Sequence, residues 1–144
     1  MAAVTRSTET ARPAMPPGYE IVAAGITLAG ADLEAGDICY LDGSNGWKLA
    51  TATLGRTKQC AFAAQDYAAG RNDCSMLIEG ELDNYAEGMT PGDALFLGSV
   101  AGDLDTAAAT VSITETVDSD GGVIALPDRP RIWAATATRI RFRL

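Results

Sequence analysis

Histidine is absent from this 144-residue chain. That removes the side chain whose charge changes most readily near neutral pH, and with it Ser-His and Cys-His catalysis. Cysteine is scarce, with only Cys39, Cys60 and Cys74. An odd count without Cys-x-x-Cys spacing builds no disulfide framework, and with no histidine to complete a ligand set a structural zinc is not expected. The three are read as reduced thiols that pack as small hydrophobes. Neither a Gly-x-x-x-x-Gly-Lys-Ser/Thr loop nor a Gly-x-Gly-x-x-Gly fingerprint occurs, which leaves no nucleotide-binding motif. No run approaches the ~20 apolar residues of a membrane span, and the first residues lack the apolar core of a secretory signal. Aromatic residues make up 6% of the chain, and no long stretch carries apolar residues at helical i, i+3, i+4, i+7 spacing. A mostly β fold with a thin core of small side chains is expected. No cofactor and no enzymatic activity are expected.

What is present fits a globular domain: 47% hydrophobic and 21% charged residues. A chain of this length buries roughly 70% of the surface it would expose unfolded, so it can fold without staples. The net charge of −8 is unevenly placed. Residues 1–12 carry +1 and residues 128–144 carry +4, so residues 13–127 carry −13. An acidic middle repels nucleic acid and anionic membrane, and neither is an expected partner.

Two stretches organise the chain. Gly36-Asp37-Ile38-Cys39-Tyr40-Leu41 is closed by Gly46, and Gly92-Asp93-Ala94-Leu95-Phe96-Leu97 is closed by Gly102. Each reads Gly-Asp, two small or apolar residues, an aromatic and a leucine, with a glycine ten positions after the first. Turn residues precede both, so a turn, a strand and a second turn are expected twice, in pseudo-repeats of about 26–82 and 83–144. Both faces of Ile38-Cys39-Tyr40-Leu41 are apolar, which predicts burial on both sides. Residues 19–28, 47–52, 75–82, 110–117 and 138–144 read as further strands. Residues 60–64 read as a strand or the start of a helical turn. In the second repeat residues 123–126 are placed where 60–63 stand in the first, and residues 138–144 where 76–82 stand. The expected body, residues 19–144, is a compact barrel-like or sandwich-like β domain.

Residues 1–18 end in Arg12-Pro13-Ala14-Met15-Pro16-Pro17-Gly18, where prolines remove backbone donors and hold the segment extended. It is read as an arm, either an ordinary disordered terminus or a segment that orders along a partner through Arg12, Pro13, Met15, Pro16, Pro17 and Tyr19. The last strand alternates Arg139, Arg141 and Arg143 with Ile140, Phe142 and Leu144. Its apolar face must pack on the core. The arginine face is either a charged, aggregation-resistant surface or an ion-paired contact with an acidic neighbour, which in an oligomer could be the next subunit. Glu79/Glu81 and Asp103/Asp105 each lie two apart on expected strands and read as solvated charges. Asp118-Ser119-Asp120-Gly121 lacks the remaining ligands of a calcium loop.

Taken together, Gly30-Ala31, Ala35-Gly36-Asp37, Tyr40-Leu41, Trp47-Lys48-Leu49-Ala50, Pro91-Gly92-Asp93, Phe96-Leu97, Gly102 and Val123-Ile124-Ala125 resemble, in order and spacing, the small head decoration (capsid cement) proteins of tailed bacteriophages. The resemblance covers about residues 19–144. It implies a structural virion protein, assembled in the host cytoplasm, with a β-rich body on the outer capsid surface. It also implies homotrimers and an extended N-terminal arm over the major capsid protein, so that adjacent capsomers are clamped. The arginine-rich last strand departs from what that family requires. The alternative is a β module of a phage tail or fibre that binds other tail proteins or a host glycan, because such modules share the Gly-Asp turn pattern.

Overall fold

The computed structural model describes residues 4–13, 21–22, 29–43, 46–55, 58–72, 74–106, 116–117, 123–124 and 132–144. Among these residues there is no helix. Twelve strands follow one another: β1 (Arg12–Pro13), β2 (Ile21–Val22), β3 (Ile38–Asp42), β4 (Gly46–Leu49), β5 (Cys60–Ala63), β6 (Met76–Asp83), β7 (Ala94–Leu97), β8 (Leu104–Asp105), β9 (Thr116–Val117), β10 (Val123–Ile124), β11 (Ile132–Ala134) and β12 (Ile140–Arg143). β9 and β10 pair only with each other, and the rest form one antiparallel sheet. Its path runs β4-β3-β5-β6-β12-β11-β7-β8, with β1 and β2 also paired to β6. The sheet curls into a half-barrel, so the fold is mostly β.

The two Gly-Asp units make the same bonds. Gly36 and Gly92 take left-handed backbone angles, φ +86° and +90°, that a residue with a Cβ rarely adopts. Asp37 N–H donates to Glu34 O at 2.9 Å, and Asp93 N–H to Thr90 O at 3.1 Å. Gly36 N–H donates to Ala63 O, and Gly92 N–H donates to Ala134 O, at 2.8 and 2.7 Å. Ala63 N–H returns to Asp37 O and Ala134 N–H to Asp93 O, at 3.0 and 2.9 Å. Each turn thus fixes the start of a strand and the register of that strand's neighbour. Followed from either end, the sheet path meets a return strand, a Gly-Asp strand, a third strand and a fourth, and the halves join at β6 and β12.

The second-half partner of the Gly-Asp strand differs from expectation. β7 pairs with β11, Ile132 opposite Leu95, whereas Val123 and Ile124 pair with Val117 and Thr116. β11 is three residues long and alternates buried, exposed, buried. So short an element gives no period to see beside the longer apolar run at 123–126. Residues 60–63 resolve as strand: Phe62 lies opposite Ile38 on one side and Leu77 on the other. The expected strands at 19–28 and 110–117 are described only at Ile21–Val22 and Thr116–Val117. Met15, Pro16, Pro17, Tyr19 and residues 118–122 lie outside the described residues.

Both faces of β3 pack, but in different cores, with Ile38 and Cys39 buried and Tyr40 and Leu41 half-buried. Ile38 joins Phe62, Leu77, Leu82, Leu95, Leu104, Ile140 and Phe142 in a cluster drawn from both halves of the sheet. Phe62 anchors it, with the Phe142 ring 4.5 Å and the Tyr85 ring 6.1 Å away between centroids. Cys39 packs on the other face with Trp47, Tyr67, Cys74 and Met76, roofed by Ala29 and Leu33. None of the three cysteines forms a disulfide, and Cys39 and Cys74 are buried.

β6 changes face partway along. Leu77 and Leu82 both enter the larger core although five positions separate them, an odd number that strict alternation forbids. The register of β2 against β6 slips at the same place, Ile21 facing Glu79 and Val22 facing Leu77, which marks a bulge at Ile78. Beyond it Glu79, Glu81 and Asp83 share the outer face.

Candidate interaction face

The pairing of β12 with β6 sets Arg143 opposite Glu79 and Arg141 opposite Glu81, while Ile140 meets Leu82 on the core side. Residues opposite one another in an antiparallel pair point the same way. The outer face is therefore a ladder of opposite charges within one chain. Arg139 Nε donates to Asp83 Oδ1 at 2.6 Å, and its Nη1 lies 3.5 Å from Glu81 Oε2. Arg141 Nε donates to Glu81 Oε1 at 3.1 Å, with its Nη2 3.0 Å from the same oxygen. Arg143 is looser, 3.8 Å from Glu79 Oε1. The bond to Asp83 raises the Arg139 pKa above its ordinary value. Exposed pairs of this kind contribute about 0–1 kcal/mol each, so the ladder orients side chains more than it stabilises the fold.

Trp133 stands beside the ladder. Its strand position faces Arg141 on one side and Ala94 on the other. Its neighbours Ile132 and Ala134 point into the body, so the indole points out and is 38% exposed. Gly92, Trp133, Ala134, Ala135, Thr136, Glu81, Arg139 and Arg141 line a solvent-open depression of about 700 Å³. Gly92 has nothing within 4 Å of where a Cβ would stand, which leaves the wall beside the indole low.

A second charged group lies where the halves meet. Arg6 donates to the carbonyls of Ala35 and Tyr85 at 3.0 and 3.1 Å, and its Nη1 lies 3.4 Å from Asp37 Oδ1 and 3.2 Å from Asp103 Oδ1. Its guanidinium sits 4.5 Å from the centroid of the Tyr85 ring, a favourable cation–π position. Asp37 belongs to the first Gly-Asp unit, and Asp103 follows Gly102 of the second. One arginine from the N-terminal segment therefore ties both units. Burial raises the Asp37 pKa, while a hydrogen bond from the Glu34 backbone and the Arg6 charge pull it down. The segment continues over the body, with Val4 N–H on Leu104 O, Val4 and Ala11 buried, and β1 paired to β6.

Burial, then the charges of Asp37, Cys60 and Cys74, push the Cys39 thiol well above its usual range, so it stays protonated and unreactive at neutral pH. Burial likewise raises the Tyr85 phenol. Among the described residues no group of three or more His, Cys, Asp or Glu could hold a metal ion.

Of the residues singled out in the sequence, Arg139, Arg141 and Arg143 come together on one face, paired to carboxylates of their own chain. Arg12 lies opposite Asp83 and Pro13 opposite Leu82, at the other edge of the same strand β6. Glu79 and Glu81 share a face, but with the arginines as neighbours. Asp105, by contrast, is buried at 3% exposure. Arg6 and Trp133 carry no signal in the sequence reading: one counted only toward net charge, and the other sits in a strand too short to show alternation. No family model matches the chain, and no curated protein or solved structure is similar to it.

Proposed function

We propose that the chain is a structural virion protein that binds the outer surface of a tailed-phage capsid and holds adjacent capsomers together. The observation that carries this reading is the repeated bonding of the two Gly-Asp units, because the resemblance to head decoration proteins rests on those units. Their shared geometry makes the motif a property of the frame and not of composition. A curled antiparallel sheet suits a mechanical role. β1 also holds Arg12 and Pro13 on β6, so the Met15-Pro16-Pro17 run starts from a fixed point on the body. From there it would lie along the major capsid protein, adding shallow apolar and backbone contacts to offset the entropy of ordering. Self-association as a homotrimer belongs to the same reading.

The test is co-sedimentation with undecorated, expanded heads of the source phage. Saturable binding at a fixed ratio to the major capsid protein is expected. Replacing Met15, Pro16 and Pro17 by Gly and Ser should abolish it without touching the Arg6 contacts. Binding to tails and not to heads would refute the reading and turn attention to the tail-module alternative.

A further inference from the structure

We propose that the depression beside Trp133 is a binding site for a neutral saccharide, with the indole as platform for one face of a pyranose ring. Three observations lead there. Trp133 presents an aromatic surface to solvent in a shallow, open depression, where the low wall at Gly92 and the small Ala135 leave room for a flat ligand. A sugar ring has an apolar C–H face and a rim of hydroxyls, and it needs such a platform with donors and acceptors at the edge.

Those edge groups are present and already oriented. Arg141 engages Glu81 through Nε and Nη2, which leaves its Nη1 donors unused in that pair. Arg139 engages Asp83 and Glu81 through Nε and Nη1, which leaves Nη2. Thr136 Oγ1 accepts from the backbone N–H of Thr138 and Arg139, at 3.2 and 3.0 Å, so its own O–H can donate. Holding these groups in place before binding reduces the entropy lost on capture.

Charge and surroundings select the occupant. Arg139 and Arg141 are offset by Glu81 and Asp83, so the site has no net charge to attract an anion. Among the described residues Trp133 is also the one large apolar side chain lining it, and the other exposed large hydrophobics, Leu54 and Val100, are not part of it. A protein partner draws on further large apolar side chains around such an indole, and the described lining residues beside Trp133 supply none. The inference does not depend on whether the chain sits on a head or a tail.

The experiment titrates the intact protein with neutral oligosaccharides of glucose, galactose, mannose and N-acetylglucosamine, with polygalacturonate and sialyllactose as acidic controls. Binding is read by saturation-transfer NMR and by tryptophan emission. Only Trp47 and Trp133 are present, and Trp47 is 2% exposed, so acrylamide-sensitive emission reports Trp133. At least one neutral sugar should bind at millimolar concentration, shift that emission to the blue and resist added salt. Trp133→Ala should weaken binding by about tenfold or more, and Trp133→Phe should restore part of it. The proposal fails if no neutral sugar binds, if Trp133→Ala binds as well as the parent, or if only acidic sugars bind and salt removes them. It fails equally if Trp133 resists acrylamide in the free protein, because the depression would then be covered.

Discussion

Replacing Arg6 by methionine tests whether one arginine ties the halves together. Methionine keeps an unbranched apolar stem of similar girth and deletes the guanidinium. The change removes hydrogen bonds to two carbonyls, two carboxylate contacts and a cation–π contact, and it leaves Asp37 and Asp103 without their cation. Breaking a fully buried pair costs about 3–5 kcal/mol. The Arg6, Asp37 and Asp103 side chains retain 23%, 13% and 28% exposure, so water takes up part of the loss and about 2–4 kcal/mol is expected. For a domain of this size that corresponds to a fall in Tm of roughly 6–12 °C. The loss should depend on pH. Asp37 is raised above its ordinary value of 3.8 in the folded state, so its stabilising contribution is complete below 3.8 and is lost as pH rises through the folded value. Removing Arg6 takes away a downward pull and moves that folded value further up. The decline then continues to higher pH, and the gap between parent and variant should be small in acid and widen toward neutrality. Urea denaturation followed by Trp47 emission and circular dichroism across pH measures both effects. Asp37→Asn in the Arg6→Met background should recover about 1–2 kcal/mol at neutral pH. A loss below about 1 kcal/mol, or a gap that does not change with pH, would refute the argument.

Two other substitutions test the core and the ladder. The Tyr85 hydroxyl is fully buried and, among the described residues, has no hydrogen-bond partner; the Leu104 backbone faces it without reaching bonding geometry. Tyr85→Phe should therefore be neutral or stabilise by up to about 1 kcal/mol, and a loss above that in urea denaturation would mean the hydroxyl is bonded after all. Changing Arg139, Arg141 and Arg143 together to Gln should lower stability by only about 1 kcal/mol, mostly through Arg139 and its 2.6 Å contact. If the same variant also loses subunit association or head binding at low salt, as sedimentation would show, the face meets an acidic partner as well as its own carboxylates.

The legible parts of the fold were those with a local signal. The β3 segment showed apolar residues on both faces and packs on both faces; β12 showed strict alternation and has Ile140 and Phe142 inside. Chemistry carried by long-range contacts was hidden. Arg6 meets partners 31 and 97 positions away, and nothing near it in sequence marks it as other than a surface charge. The bulge at Ile78 leaves no trace in composition, yet it decides that Glu79, Glu81 and Asp83 face the arginines. β11 escaped notice because three residues cannot display a period, and Trp133 went with it. Residues 1–18 were read as one arm because their prolines dominate. In the earlier part of that segment Val4 and Ala11 are buried against the body.

The mirrored order of the strands has a consequence for how the molecule would come apart. Between β6 and β12 the halves share four residue pairs, from Ile140 opposite Leu82 to Arg143 opposite Glu79. The halves are also joined by the exposed ladder, by the shared core around Phe62 and Phe142, and, at the far end of the sheet, by the Arg6 tie and by backbone bonds from Gly102 N–H to Ala50 O, Ile38 N–H to Gly102 O and Ala52 N–H to Gly98 O. A chain nicked between the halves, near the Asn84 turn, would leave one fragment with β1–β6 and one with β7–β12, each with its own Gly-Asp turn and an open flank matching the other's. Such fragments should recombine when mixed, with the piece that carries the first residues acting as the clasp.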